Sequence, residues 1–327
     1  QRLYAGTSGG LFAVPLQPVP DLSFSKGNFS MIANTTGQVW GLAEINGQLL
    51  MGHHDGAFVI REASAELLFP YYAGYWNFVP MQDVFPASRI IAGNYRGLSF
   101  FDYANNEFRR AQQLPGFQES SRFVALDKQG TIWVSHPYHG VYKLKPGNDS
   151  VYSYQLYDQK KGLPSSLNNH VYKIKGEILV ATEKGVFVYD AAGDRFVPSV
   201  YYKKLLGEQS LRYLKDDTEG NTWFVHEKNL GVIDVSGNKP AVVYLPELNH
   251  KLLSGFEMVY PVDARNIFVA AEKGFFHINY AKYKKNVSVL SVNIRTVQIH
   301  GNKDSLLFGG YFNEVNEQQV QPDAGLH

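Results

Sequence analysis

The chain has 327 residues, with 31 Lys and Arg against 30 Asp and Glu, and its formal charge of +1 argues against broad electrostatic binding to nucleic acid or an anionic membrane. Hydrophobic residues make up 44% and charged residues 19%, which is typical of a globular chain and excludes a disordered one. Cysteine is absent and no long apolar run occurs, which excludes disulfides, thiolate chemistry and a membrane-spanning helix.

One phrase recurs seven times along the chain: a short apolar strand, a polar gap, a glycine, and then two or more apolar residues. Its glycines are separated by 41 to 46 residues and are Gly10, Gly56, Gly97, Gly140, Gly185, Gly231 and Gly274. A four-stranded propeller blade needs about 40–45 residues. We expect each glycine to turn the chain between two antiparallel strands, where a positive φ or a close backbone approach is required.

A further strand precedes the phrase in most units, and an outer strand follows it. The preceding strands are expected at 39–43, 122–126, 171–174, 211–214 and 258–262. No long helical stripe is present, so we predict an all-β fold, a seven-bladed β-propeller of four-stranded antiparallel blades. The Gly10 unit lacks a preceding first strand, and an apolar stretch at 287–299 follows the last unit.

Two turns share the form Asp-x-x-Gly-x-x-Trp, from Asp127 to Trp133 and from Asp217 to Trp223. Aspartate side chains commonly bond the backbone of such turns, and a tryptophan at this position suits packing between blades. We therefore predict that both turns are structural. Their spacing is one residue too long for the Asp-box of sialidase propellers.

Residues 163–190 carry Leu163-Pro164-Ser165-Ser166, then His170-Val171-Tyr172, then Gly185-Val186-Phe187-Val188-Tyr189-Asp190. Together with the two aspartate turns, these residues resemble the repeat of the two-component regulator propeller family over about residues 1–285. The resemblance implies the periplasmic sensor domain of a hybrid two-component histidine kinase of Bacteroidetes. It implies a non-catalytic domain that detects a glycan-derived oligosaccharide and signals by interdomain rearrangement.

The tail at 289–310 resembles the start of the immunoglobulin-like domain that follows such propellers. We therefore expect a propeller at 1–286, and at 287–327 either a closing strand or the start of a truncated immunoglobulin-like domain. The first residues do not resemble a signal peptide, so we expect a mature terminus or a piece of a longer chain. The resemblance implies three kinds of partner: an oligosaccharide, the adjacent propeller and immunoglobulin-like domain of the same parent chain, and a second copy of that parent. We expect no nucleic acid partner and no direct membrane insertion.

Propeller geometry places the turns between second and third strands on the same face as the connections between blades. Aromatic faces cover the apolar C–H patches of sugars, and polar side chains bond their hydroxyls. An acidic glycan could engage Arg96, Lys184, Lys228 and Lys273 there. The alternative is that these are ordinary loop residues, with the aromatic ones packed between blades. The candidate ligand-binding residues are Tyr71, Tyr72, Trp76, His53, His54, Asn94, Tyr95, Arg96, His136, Tyr138, His139 and His226.

We predict no catalytic residue, no metal and no cofactor in this chain. His53-His54-Asp55 and His136-x-x-His139 resemble partial metal sites, but three converging ligands cannot be derived from the sequence. Glycoside hydrolysis needs two facing carboxylates, and most acidic residues of this face have a lysine beside them, which favours solvated turns. Two alternative functions stay open: a protein–protein interaction scaffold, and a polysaccharide lyase or glycoside hydrolase.

Overall fold

The computed structural model describes residues 1–25, 27–69, 74–82, 84–147, 152–285, 296–300 and 305–309. The chain forms two compact units, Gln1–Lys282 and Tyr283–His327. The first unit is a seven-bladed β-propeller of mostly four-stranded antiparallel sheets, as the glycine repeat predicted. Within the described ranges, none of the helices combines the length and apolar character needed to cross a bilayer.

The first four blades follow one another along the chain. Blade 1 contains β1 (Arg2–Thr7), β2 (Gly10–Pro15) and β3 (Ser30–Met31). Blade 2 contains β4 (Val39–Ile45), β5 (Gln48–His53), β6 (Gly56–Arg61) and β7 (Ser64–Phe69). Blade 3 contains β8 (Tyr75–Pro80), β9 (Arg89–Asn94), β10 (Gly97–Ala104) and β11 (Glu107–Gln113). Blade 4 contains β12 (Phe123–Leu126), β13 (Ile132–His136), β14 (Gly140–Pro146) and β15 (Tyr152–Tyr157).

The remaining blades repeat the pattern, with short helices between them. Blade 5 contains β16 (His170–Ile174), β17 (Glu177–Thr182), β18 (Gly185–Asp190) and β19 (Arg195–Pro198). Blade 6 contains β20 (Leu211–Asp216), β21 (Thr222–His226), β22 (Asn229–Asp234) and β23 (Ala241–Tyr244), and blade 7 contains β24 (Val259–Asp263), β25 (Asn266–Ala271) and β26 (Gly274–Ile278). The second unit holds β27 (Thr296–Ile299) paired with β28 (Ser305–Gly309). The helices of the described residues are α1 (Val200–Leu206), α2 (Tyr280–Tyr283) and 3-10 turns at Leu22–Phe24, Gln159–Lys161 and Pro246–Leu248.

Six of the seven predicted hinge glycines are the first residue of a strand. In blades 2 to 5 this is the third strand of the blade, and in the three-stranded blades 1 and 7 it is the equivalent strand, β2 or β26. Each pairs with the last residue of the preceding strand. All six adopt a positive φ, which explains the preference for glycine. Their φ angles are 145° at Gly10, 149° at Gly56, 125° at Gly97, 111° at Gly140, 96° at Gly185 and 112° at Gly274.

The prediction for Gly231 is wrong. In blade 6 the hairpin turns earlier, at Glu227 with a φ of 54°, and Asn229 pairs with His226. Gly231 lies two residues inside β22, where a Cβ atom would overlap the ring of Phe224. Glycine is needed there for packing and not for turning the chain.

The core consists of apolar layers between adjacent blades. Buried residues of blades 2 and 3 form one such layer, which includes Leu50, Val59, Phe78 and Phe101. Equivalent layers join blades 1 and 2, blades 3 and 4, blades 4 and 5, and blades 5 and 6. The first strands of blades 2 to 6 lie side by side, and they therefore surround the propeller axis.

The two aspartate turns are structural, as predicted. The Asp127 carboxylate accepts from the backbone of Gln129 and Thr131, and also from the indole N–H of Trp133 at 3.1 Å. Asp217 repeats the arrangement in blade 6. The bond from the carboxylate to the indole was not predicted, and it fixes the tryptophan ring between blades.

Blades 7 and 1 meet through side chains. The Asn266 amide accepts from the Leu22 N–H at 2.8 Å and donates to the Pro20 carbonyl at 2.9 Å. The Asn279 amide donates to Asp21 at 2.7 Å, and hydrogen bonds from Ser23 and then Asn279 lower the pKa of Asp21 to about 2. Among the described residues, no strand is hydrogen-bonded to both blades, so the ring closes by these contacts.

Blade 1 has an open inner edge in the part of the chain that the structure describes. Its strand β1 pairs with β2 alone, whereas the equivalent β13 of blade 4 pairs on both sides. We expect amides of β1 to exchange with deuterium at least about tenfold faster than those of β13, because unpaired edge amides are open to water. Hydrogen-exchange mass spectrometry measures this difference. Equal protection would contradict it and would mean that another strand covers β1 in solution.

Candidate functional site

Several of the predicted ligand-binding residues have structural roles at the ends of second strands. His53, Asn94 and His136 are buried, and each accepts a hydrogen bond from the backbone N–H two residues further on. Thr7 and Thr182 do the same in blades 1 and 5. A polar residue at this position therefore shapes the turn. The acceptor-to-nitrogen distances are 3.0 Å for His53 to Asp55, 2.8 Å for Asn94 to Arg96 and 3.2 Å for His136 to Tyr138.

The other predicted residues are more scattered. Arg96 and His54 are exposed, Tyr138 is 69% exposed, and His226 is half-buried at the end of β21. Tyr71 and Tyr72 lie outside the described residues. Of these, His54 contacts another predicted residue: its Nδ1 atom is 3.1 Å from the Tyr95 hydroxyl, and the two ring centroids are 5.8 Å apart.

Trp76 and Tyr95, in contrast, belong to a compact aromatic group at the propeller axis, which we name the axial cluster: Trp40, Trp76, Tyr95, Arg122 and Phe256. The ring centroids of Trp40 and Trp76 are 4.9 Å apart, and those of Trp76 and Tyr95 are also 4.9 Å apart. Phe256 stacks on Trp40 with a centroid distance of 5.7 Å and an interplanar angle of 14°.

The axial cluster draws on four different blades. Trp40 and Trp76 are second residues of the inner strands β4 and β8, and Arg122 directly precedes the inner strand β12. Phe256 comes from the connection that leads into β24 of blade 7. Blades 4 and 7 are three blades apart on the ring, so their side chains can meet only at the axis. The cluster therefore covers the mouth of the central channel on the predicted face.

Arg122 is the cation of this cluster. Its guanidinium lies 4.4 Å from the ring centroid of Phe256 and 5.4 Å from that of Trp76, and it donates to the Gly255 carbonyl. No ion pair joins it to a carboxylate in the described part of the chain, and burial lowers its pKa. The charge of Glu257 acts on the guanidinium from beyond ion-pair distance and does not offset the cost of burial, so a further anion would stabilise Arg122.

His170 lies beside the cluster. Its ring centroid is 4.8 Å from that of Phe123, and burial followed by the charges of Arg122 and Arg212 lowers its pKa to about 4. The ring is therefore neutral at pH 7. Its Nδ1 atom and the indole nitrogen of Trp76 are both buried without a hydrogen-bond partner among the described residues. Such groups are normally paired, and a bound ligand would satisfy them.

A cavity of about 260 Å³ adjoins the cluster along the inner strands of blades 3, 4 and 5. Phe123 and Tyr172 line it, and their ring centroids are 5.9 Å apart. The Tyr172 hydroxyl donates to the Arg212 carbonyl at 2.8 Å, which ties the inner strands of blades 5 and 6 together. The channel below the mouth therefore has a rigid, mostly apolar wall.

A second group of polar side chains lies on blade 4. Nε2 of His136 is 3.4 Å from the Glu119 carboxylate, and Nδ1 of His139 is 3.6 Å from it. Among the described residues, this trio brings three potential metal-ligand atoms within 4.8 Å of one another. Burial, and then His139, lowers the pKa of His136, so its ring is neutral at pH 7.

The orientation of the trio does not suit a metal ion. A ring nitrogen offers its lone pair in the ring plane, but the two imidazoles are stacked, with an interplanar angle of 10° and centroids 4.0 Å apart. Nδ1 of His136 accepts the Tyr138 N–H, so the ring proton lies on Nε2, the atom that faces Glu119. A metal on Nε2 would displace that proton onto Nδ1, against the backbone N–H.

We therefore expect zinc or nickel to leave the unfolding midpoint of the protein unchanged. Thermal unfolding with EDTA, and then with a tenfold excess of each ion, measures this directly. A midpoint that rises with zinc in the wild type and not in the His139→Ala variant would contradict the expectation.

Sequence reasoning missed Trp40, Arg122, His170 and Phe256 as candidate site residues. A signal was present, because one of the first two residues is aromatic or basic in four of the five predicted inner strands: Trp40, Arg122, Tyr172 and Arg212. Equivalent positions in successive blades lie next to one another around the axis, so large side chains at these positions converge.

Comparisons with known proteins give the fold. No protein-family model and no curated protein matches the chain. Among solved structures, the extracellular domain of a putative hybrid two-component system from B. thetaiotaomicron superimposes with a TM-score of 0.67 at 19% identity, over 92% of this chain and 40% of that one. A catalytically inactive virginiamycin B lyase from Staphylococcus aureus gives a TM-score of 0.54 at 10% identity, over 84% of this chain and 96% of the lyase.

The WD40 domain of Pan2 from Neurospora crassa gives a TM-score of 0.56 at 12% identity, over 84% of each chain. This chain spans only two fifths of the length of the two-component structure described above. At such identities these likenesses establish a propeller fold, which occurs in an extracellular domain of a putative two-component system, a lyase and a WD40 domain.

Proposed function

We propose that this chain is the sensor propeller of a hybrid two-component histidine kinase and recognises a glycan-derived oligosaccharide without cleaving it. The observation that carries the proposal is the axial cluster, which gathers aromatic faces and unpaired polar groups at the channel mouth. This combination suits sugar rings. The likeness to the extracellular domain of a two-component system supports the sensor role.

Signalling then follows from differential affinity. A ligand that binds one arrangement of the propeller and its neighbours more tightly than another shifts the population toward the first. In this proposal the neighbours are an adjacent propeller and an immunoglobulin-like domain that begins within 287–327. The parent protein is a homodimer, and its sensor region lies on the periplasmic side of the membrane.

Calorimetry against a panel of neutral, carboxylated and sulfated oligosaccharides tests the proposal. We expect saturable binding of at least one glycan, with the ligand recovered intact. The Trp76→Ala variant should weaken this binding, whereas Glu219→Ala, in a turn on the opposite face, should not. Both variants are compared with the wild type by thermal unfolding to confirm that they fold.

Three outcomes would overturn the proposal. Absence of heat from every glycan, together with a stable protein partner, would favour an interaction scaffold. Conversion of a bound glycan into products would favour a lyase or hydrolase, the activity class that the virginiamycin B lyase likeness keeps open. Equal binding by the wild type and Trp76→Ala would place recognition away from the axial cluster.

A further inference from the structure

The connection between blades 6 and 7 places one of the chain's own aromatic side chains at the axis. Phe256 is an exposed phenylalanine, 40% accessible, yet it stacks on Trp40 and on the Arg122 guanidinium. Three polar contacts hold Gly255 and Phe256: Arg122 donates to the Gly255 carbonyl, the Glu257 carboxylate accepts the Gly255 N–H at 3.0 Å, and the Phe256 N–H donates to the Leu253 carbonyl at 3.1 Å. Phe256 therefore occupies a position in which a flat ligand ring would make the same contacts.

The groups around Phe256 define the chemistry of such a ring. Arg122 is a half-buried cation with no ion pair to a carboxylate among the described residues. The Glu257 carboxylate bonds the Gly255 N–H, and its charge acts on Arg122 without offsetting the effect of burial. Arg212 adds a second positive charge near the mouth, where it contacts Ser254 at 3.3 Å. The indole N–H of Trp76 is an unpaired donor, and Nδ1 of His170 has no partner among the residues that the structure describes. Two cations and a free donor favour an anionic group, and an imidazole lone pair favours a hydroxyl donor.

We propose that the axial cluster is the binding site for an acidic sugar ring, carboxylated or sulfated, and that Phe256 fills this site until the ligand displaces it. The inference rests on the proposed glycan-recognition function and deepens it. Trp40 and Trp76 stack on the ring, Arg122 pairs with its anionic group, and His170 accepts from a hydroxyl. A guanidinium can pair with either a carboxylate or a sulfate, so the structure does not distinguish these two anions. The experiment therefore uses one probe of each kind.

The experiment titrates the protein with three probes: trigalacturonic acid, the neutral trimer made by reducing its carboxyl groups, and a sulfated galactose trimer. We expect the wild type to bind one anionic trimer at least about tenfold more tightly than the neutral one, since a charge-assisted bond is lost. Arg122→Gln should lose at least about tenfold in affinity for the anionic trimer. The matched control is Arg265→Gln, an exposed arginine in the turn between β24 and β25 on the opposite face, which should bind like the wild type.

Phe256→Ala tests the displacement. Removing the internal competitor raises the fraction of binding-competent molecules, so affinity should increase by about threefold or more. A lower affinity in Phe256→Ala would show that Phe256 contacts the ligand and does not compete with it. That result would overturn the proposed displacement of Phe256.

Iodide quenching of tryptophan emission tests, without any glycan, whether Phe256 covers the tryptophans of the axial cluster. Trp133 and Trp223 are fully buried, so quenchable emission comes from Trp40 and Trp76. Phe256→Ala should increase quenching, and Arg122→Gln, which removes the attracting charge, should reduce it. Unchanged quenching in Phe256→Ala would contradict the covering role of Phe256.

The two levels of proposal fail differently. If the wild type binds the neutral trimer as tightly as the anionic ones and Arg122→Gln binds like the wild type, the acidic-ring site is wrong and glycan recognition stands. If none of the three trimers nor any glycan of the wider panel binds, both proposals fail. Unfolding midpoints of all variants exclude loss of fold as the cause.

Discussion

Gly140→Ala is expected to destabilise the propeller by about 3 to 5 kcal/mol, the range of severe core changes. Gly140 adopts a φ of 111°, and a Cβ atom there would overlap the carbonyl oxygen of Tyr157. That carbonyl belongs to the backbone of the outer strand β15 of the same blade and cannot move without disturbing the sheet. The substitution therefore combines backbone strain with a steric overlap.

The matched control is Gly47→Ala, at a turn with a φ of 72° and nothing within 4 Å of the added Cβ. This change carries only the backbone strain and should cost about 1 to 2 kcal/mol. Urea unfolding followed by circular dichroism measures both. Equal losses in the two variants would mean that β15 moves aside freely and that the close approach at Gly140 is unimportant.

Asp217→Ala is expected to destabilise the protein by about 3 kcal/mol, because hydrogen bonds to a charged acceptor are lost and a buried donor is left unpaired. The carboxylate accepts from the Glu219 and Asn221 backbone at 3.0 and 2.9 Å and from the Trp223 indole at 2.9 Å. Trp223 is fully buried, so water cannot replace the lost acceptor. Urea unfolding measures the change.

Glu219→Ala is the control for this turn, since Glu219 is exposed and donates only through its backbone. It should change stability by less than about 0.5 kcal/mol. A small effect of Asp217→Ala, similar to that of the control, would show that the turn is held by the backbone alone.

The repeat made the architecture predictable, because local chemistry determines each hinge. Five glycines with a positive φ, from Gly10 to Gly185, recur every 41 to 46 residues, and Gly274 follows after one missing hinge in blade 6. Short apolar runs define the strands beside them. Gly231 was misassigned because the same sequence phrase can arise from a packing requirement. Its neighbour Asn229 ends a turn that Glu227 makes without glycine.

The candidate site was predicted only in part. Trp76 and Tyr95 lie in the axial cluster, yet their partners lie far away in sequence: Arg122 and Gly255 are separated by 133 residues. Such convergence depends on how the ring closes, which local patterns do not encode. His53 and Asn94 show a different difficulty, since each accepts a turn hydrogen bond, and this structural role alone accounts for a polar residue at the position.

The most direct test of recognition at the axis is a titration of tryptophan emission with the oligosaccharide that calorimetry identifies, followed by mass spectrometry of the recovered ligand. We predict a saturable emission change with the calorimetric affinity, because Trp40 and Trp76 belong to the proposed site and Trp133 and Trp223 are buried elsewhere. The ligand should return with unchanged mass. Calorimetric binding without any change in emission, or a ligand cleaved during the titration, would contradict a non-catalytic sensor that reads its ligand at the channel mouth.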